Sequence, residues 1–409
     1  MIFRAKFVVQ GTKKFFEDGG VAVEGGRIAD VGKFGSVAGS GEVVDFGGCA
    51  ILPGFVNAHT HLGLTALRGR IPFSGVFAEW LRAVVAAKQK MSREDFLLSV
   101  SEGMREAIGA GTTTLADIAG EDYGWKGLAE CGMRCFAFAE VIAFEKFRAA
   151  EALDTLANRL DAAKQFDSLA VGVAPHATYT VSADLIGGCA GLASARRIPL
   201  SIHAAESVEE AAFLQGHAGP LAAFLGERGI SLEEWAAPHV TPVRYLASLG
   251  ALSARTLLVH CNYLTQDEVE IIKTSGAHVI YCPRSSEFFG CADHPLRRLM
   301  DAGVNVALGT DSLGSNSTLS MLDEVRFLAR KHRKVFPAEF WEMATARGAS
   351  ALGVSKQTGT LEKKKSADMA VVDVEGCAVR TPLEMVVEDG ARVVATISAG
   401  KIIHDSRNA

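Results

Sequence analysis

The chain has no long hydrophobic run. None of its apolar segments approaches the ~20 residues that cross a bilayer, and the opening Met1–Val9 lacks an apolar stretch of signal-peptide length. A cytoplasmic protein without a membrane partner is expected. Paired CxxC spacing is also missing: eight cysteines are scattered at 49, 131, 135, 189, 261, 282, 291 and 377, mostly inside apolar segments. They read as small buried hydrophobes in a reducing compartment, which excludes a zinc knuckle and a disulfide framework. Charge of one sign is not in excess, with 42 basic against 47 acidic residues and a net charge of -5. No Lys/Arg stripe is interleaved with aromatics, so no nucleic-acid partner is expected. The run Lys363-Lys364-Lys365 is short and reads as a solvated loop. Internal repeats and low-complexity tracts are absent, and 48% hydrophobic residues beside 22% charged exclude disorder.

What is present is β-strand punctuated by glycine. Residues 1–50 alternate short β-rich runs (5–10, 20–24, 27–31 and 42–45) with Gly turns and read as half of a small β-sandwich. From 51 to 357 the texture becomes short apolar strands followed by longer amphipathic stretches. Eight strands are expected there, over 51–58, 112–118, 134–141, 169–175, 199–203, 256–260, 278–281 and 305–309, the number that closes a (β/α)8 TIM barrel. Residues 358–409 turn β-rich again at 367–374 and 393–404. Short strands from opposite chain ends can complete one sheet that neither end could stabilise alone, so the tail is expected to join the N-terminal half of the sandwich. The fold class is α/β.

Polar residues at the C-terminal ends of barrel strands meet at one mouth however far apart they lie in sequence. Strand one ends in Pro53-Gly54-Phe55-Val56-Asn57-Ala58-His59-Thr60-His61. Residues i and i+2 of a strand share a face, so both imidazoles can reach one ion. Strand four ends in His176, strand five in His203 with Glu206, strand six in His260 and strand eight in Asp311. Each has an ordinary reading as a hydrogen-bonded structural residue, and Thr310-Asp311-Ser312 could be a helix cap. Together they form a set of imidazoles and a carboxylate suited to Zn²⁺ or Fe²⁺. The other histidines, at 217, 239, 278, 294, 332 and 404, read as surface or packing residues.

The segments LPGFVNAHTHL, SIHAAE, LLVHC and LGTDS, with the tail Gly359–Asp373, resemble the motifs of the amidohydrolase superfamily, in its branch of cytosine, guanine and adenosine-type deaminases. The likeness covers essentially the whole chain; Lys365 stands where a glycine is usual. It implies that His59, His61, His203 and Asp311 bind one divalent ion, Zn²⁺ ahead of Fe²⁺. Strand four offers no lysine for a second metal. It further implies that Glu206 shuttles a proton to a ring nitrogen, that Asp311 also accepts a proton from water, and that His260 orients that water.

Substrate contacts follow from narrower likenesses. Phe77-Ala78-Glu79-Trp80-Leu81 resembles an element of methylthioadenosine/adenosylhomocysteine deaminases that sets Trp80 over the pocket, although a helical core Trp fits equally. His176 matches an element contacting the nucleoside, and Ser315 falls beside the ring. The ribose-gripping acid of those enzymes falls on Gln89, and their carboxylate-binding arginine falls near Ala139 and Glu140, where an acid would repel that group. Phe138–Ile142, with 205–210, 213–214 and 222–225, looks more like the aminodeoxyfutalosine deaminases of menaquinone biosynthesis. Their substrate carries a benzoate, and Arg82 or Arg284 is expected to face it. The expectation is hydrolytic deamination of a 5′-substituted adenosine, 6-amino-6-deoxyfutalosine ahead of methylthioadenosine or S-adenosylhomocysteine. The alternatives are an aminohydrolase or chlorohydrolase acting on a free base or s-triazine (guanine, cytosine, a chlorotriazine), and a non-catalytic assembly protein on the same fold. The retained ligand and shuttle residues speak against the last. Apolar helices on a barrel exterior would permit a homodimer.

Overall fold

The computed structural model describes residues 1–407 except 13, 40, 217, 218, 234, 292, 333–336 and 378–380; His217 lies outside the described residues. Eight strands run parallel and side by side in chain order: Phe55–Thr60, Thr112–Ala119, Arg134–Val141, Leu169–Pro175, Leu200–Ala204, Thr256–His260, His278–Tyr281 and Val306–Leu308. The last meets the first through Thr310 and Asp311, whose backbone N–H groups donate to the His59 carbonyl at 3.0 and 3.1 Å. This closes the barrel. Burial is unbroken along the first, second, fifth and sixth strands, as parallel strands covered on both faces require.

The apolar run expected as one strand over 51–58 is two. Cys49–Pro53 pairs with Met369–Asp373 and Ile2–Gly11, while Phe55–Thr60 enters the barrel. Gly54 marks the change: a Cβ there would stand 2.1 Å from Thr113 Oγ1, so only glycine lets the chain pass so close to the second barrel strand. The stretch 393–404 likewise divides into a hairpin, Arg392–Ser398 and Lys401–Asp405. Its turn residues Ala399 and Gly400 have φ of 45° and 76°, the positive values a two-residue hairpin turn demands.

Both chain ends build one continuous mixed sheet, in the order Lys401–Asp405, Arg392–Ser398, Met369–Asp373, Cys49–Pro53, Ile2–Gly11, Lys14–Glu24, Arg27–Lys33, with Val43–Asp45 also paired to Ile2–Gly11. The two-residue period of its strands divides them between two cores. Ala50, Leu52, Ala370 and Val372 join the main core shared with the barrel, whereas Ile51, Met369 and Val371 face a smaller one with Phe3, Val21 and Ile397. No described helix is long and apolar enough to cross a membrane.

Candidate active site at the barrel mouth

His59, His61 and His203 gather as the strand ends require, with ring centroids 4.9, 5.0 and 5.4 Å apart. One ring nitrogen from each lies within 4.8 Å of the others, and His59, His260 and Asp311 form an overlapping set under the same limit. Asp311 Oδ1 stands 3.6 Å from His59 Nε2 and 3.5 Å from His61 Nε2. Gly309 makes that approach feasible, because a Cβ there would meet the His59 Cβ and carbonyl oxygen at 2.8 Å. Asp311 and His260 hold φ of 59° and 72°, strained values of the kind that persist where surrounding contacts fix a functional geometry.

Both ring nitrogens of His59 and Nε2 of His260 are buried without a hydrogen-bond partner. Buried polar atoms are ordinarily paired, so the orphaned His59 Nε2, 3.6 Å from Asp311 Oδ1, fits a divalent metal ion. His203 is oriented from behind, its Nδ1 lying 2.7 Å from the His176 carbonyl, which leaves Nε2 for the centre. Burial holds His61, His176 and His260 well below the usual histidine range and His203 at about 4, so all four are the neutral form that can donate a lone pair.

The two carboxyls diverge. Burial alone would raise Asp311, but the nearby imidazoles of His59, His260 and His61 outweigh burial and hold it well below the usual carboxylate range. The Ser285 and Ser315 hydroxyls stand 2.6 and 2.7 Å from its Oδ2, which leaves Oδ1 facing the imidazoles. Glu206 goes the other way: burial first, then Asp311 and Glu210, push its carboxyl well above the usual range. Its Oε1 lies 3.4 Å from His260 Nε2. Carboxyls whose surroundings push them in opposite directions are the pairing that separates proton acceptor from proton donor.

A cavity opens from this cluster to solvent. His61, His203, Glu206 and Asp311 floor it, and His176, Glu140 and Trp80 line it. Its apolar wall is the helix Phe77–Lys88, in which Phe77, Trp80, Leu81, Val84, Val85 and Lys88 all face the cavity at helical spacing. Gln89, one residue past that stripe, is outside the lining. Ser315 sits beneath Asp311 rather than in the wall. Arg284 donates to Asn316 and Ser317 in a neighbouring groove, and Arg82 is spent in a two-point ion pair with Glu227. The cations that do border the cavity are Lys88 and Arg228, both exposed and without an ion-pair partner among the described residues. Arg228 lies over the Phe224 ring at 5.7 Å. The helical stripe 77-80-81-84-85-88 was the available signal for Lys88.

Comparison with known proteins accounts for this arrangement. Residues 50–403 match the amidohydrolase family. The chain is 31% identical over 391 residues to the 5-methylthioadenosine/S-adenosylhomocysteine deaminase of Nitratidesulfovibrio vulgaris (strain DP4), covering 91% of this chain and 83% of that protein. It is 32% identical over 374 residues to the enzyme of the same name from Halobacterium salinarum, covering 88% and 80%. An adenosine deaminase from Xanthomonas campestris with bound zinc superposes with a TM-score of 0.83 at 25% identity, over 99% of this chain and 93% of that one. The fold is also that of the Helicobacter pylori aminofutalosine deaminase in complex with methylthio-coformycin, with a TM-score of 0.84 at 23% identity over 98% and 99%. A match running from the last strand before the barrel to the final hairpin takes in every strand end at the mouth: the chain belongs to the amidohydrolase family.

Proposed function

We propose that this hydrolytic deaminase removes ammonia from the aminated ring of a 5′-substituted adenosine, with 6-amino-6-deoxyfutalosine ahead of methylthioadenosine and S-adenosylhomocysteine. His59, His61, His203 and Asp311 would hold one divalent ion, Zn²⁺ before Fe²⁺. Such an ion, when bound, supplies Lewis-acid activation of water at neutral pH. The protonated Glu206 gives its proton to the ring nitrogen beside the amino-bearing carbon, making that carbon electrophilic. Asp311, ionised, accepts a proton from the attacking water and passes it to the departing amine. His260, neutral and beside Glu206, orients the water and stabilises charge developing at the carbon.

The observation that carries this reading is the make-up of the cavity: a polar floor, an apolar wall and two exposed cations, Lys88 and Arg228, without an ion-pair partner among the described residues. A free base or triazine would fill only the floor. A methylthio group would end in the apolar stretch. A tail bearing a carboxylate would reach Lys88 and Arg228, while Glu140 offers an acceptor for ribose hydroxyls. The test is ammonia release measured across 6-amino-6-deoxyfutalosine, S-adenosylhomocysteine, methylthioadenosine, adenosine, guanine and a chlorotriazine. The highest kcat/KM is expected for a nucleoside with an anionic tail; preference for the free base or the triazine would overturn the proposal.

A further inference from the structure

Glu210 is fully buried at the start of the helix Val208–Gly216 and lies outside the cavity lining. One of its carboxylate oxygens accepts the Glu206 backbone N–H at 2.9 Å, and the other accepts the Thr178 hydroxyl at 2.6 Å. Thr178 follows His176 by two residues, so a single carboxylate ties the loop after barrel strand four to the loop after strand five. At the far side of the same residue, the Asn262 amide donates to the Glu206 carbonyl at 3.0 Å. Asn262 is itself held by the Ser286 hydroxyl, which donates to its Oδ1 at 2.8 Å. Ala205, just before, has φ of 50°, a left-handed conformation that a residue bearing a Cβ adopts only where its surroundings enforce it.

We propose that Glu210 is a positioning residue for Glu206, and that Asn262 completes a clamp gripping both polar ends of residue 206 and aiming its carboxyl into the barrel mouth. The consequence for catalysis rests on Glu206 being the proton shuttle. A group that transfers a proton must sit within hydrogen-bond reach of its target, and misplacement by about 1 Å costs about 10²-fold in rate. The neighbouring Ala205 carbonyl accepts the Tyr263 N–H at 3.1 Å, so the turn is anchored beside residue 206 and the clamp fixes residue 206 itself. A merely structural Glu210 would instead lower stability and metal content together with turnover.

Hydrogen exchange read by mass spectrometry over residues 204–208 reports the clamp without substrate, and steady-state kinetics with methylthioadenosine report its effect. Glu210→Ala is expected to speed exchange in that segment and lower kcat about 10²-fold, with KM within about threefold and the metal bound per chain unchanged. Glu210→Gln keeps an oxygen for the Glu206 N–H and is expected to restore slow exchange and most of kcat. The clamp is refuted by unaltered exchange in Glu210→Ala, by equal impairment of the two variants, or by metal loss in step with kcat. Faster exchange in a protein that deaminates no nucleoside would uphold the clamp and remove the functional reading instead. Should Glu210→Ala fail to fold, Asn262→Ala opens the other end of the grip: reduced kcat at unchanged KM is expected, and wild-type kcat would refute the proposal.

Discussion

Glu206→Gln keeps the shape of the side chain and removes its titratable proton, so it separates chemistry from architecture. The variant is expected to bind metal at the wild-type level, measured by elemental analysis, and to lose at least about 10²-fold in kcat. Substantial residual turnover would take Glu206 out of its role. In the cavity lining, Lys88→Ala and Arg228→Ala should each raise KM about tenfold for a substrate with an anionic tail and leave KM for methylthioadenosine nearly unchanged. Equal effects on both substrates would assign the two cations to something other than the tail. At this scale the sequence was informative about the floor of the cavity and poor about its rim. His59, His61, His203, His260 and Asp311 lie at strand ends, and a barrel delivers strand ends to one place regardless of loop length. Arg82 and Arg284 were equally visible as cations, yet Glu227 takes one and Asn316 with Ser317 the other. Those partners lie 145, 32 and 33 residues away in the chain. Such pairings have no local signature.

Elements were legible where one periodicity served one sheet. The barrel strands alternate with amphipathic helices, and that alternation needs no tertiary knowledge. The apolar run 49–60 defeats it, because Cys49–Pro53 and Phe55–Thr60 are both fully buried strands in different sheets and differ in nothing that hydrophobicity records. Only Gly54 betrays the boundary. A second glycine yields a prediction at this scale. In Gly309→Ala the new Cβ would meet backbone and Cβ atoms of His59, neither of them the far end of a flexible side chain. Strands one and eight must separate, at a cost of about 1–3 kcal/mol, and His59 and Asp311 move apart with them. A lower melting temperature and reduced metal content are expected together. A variant that melts lower with full metal content would mean that the closure of the barrel and the cluster it carries are mechanically independent.

Across the whole molecule, buried carboxyls and buried imidazoles pull the pH dependence of stability in opposite directions. Burial pushes Asp117 and Glu210 up to about 7 and Glu324 to about 8. In an unfolded chain such groups titrate near about 4. Between those limits the folded protein retains protons that the unfolded chain has released. Their stabilising contribution is therefore complete below about pH 4 and is lost as pH rises through about 7 to 8. His294, at about 3, and His203, at about 4, are depressed by burial, so their contribution is present above the unfolded value near about 6.5 and is lost as pH falls through their folded values. Glu324 probes the alkaline limb: it is fully buried and accepts from the Asn316 amide at 2.7 Å and the Arg284 backbone N–H at 3.1 Å. Glu324→Gln removes the titration and one acceptor, so the variant is expected to melt lower than wild type in mild acid. With the metal chelated, its melting temperature should fall less than that of wild type between about pH 6 and pH 9, because no proton remains to be lost from that site. Parallel declines in the two proteins would mean that Glu324 is already ionised in the folded state, its charge carried by Arg284 and Asn316 despite complete burial.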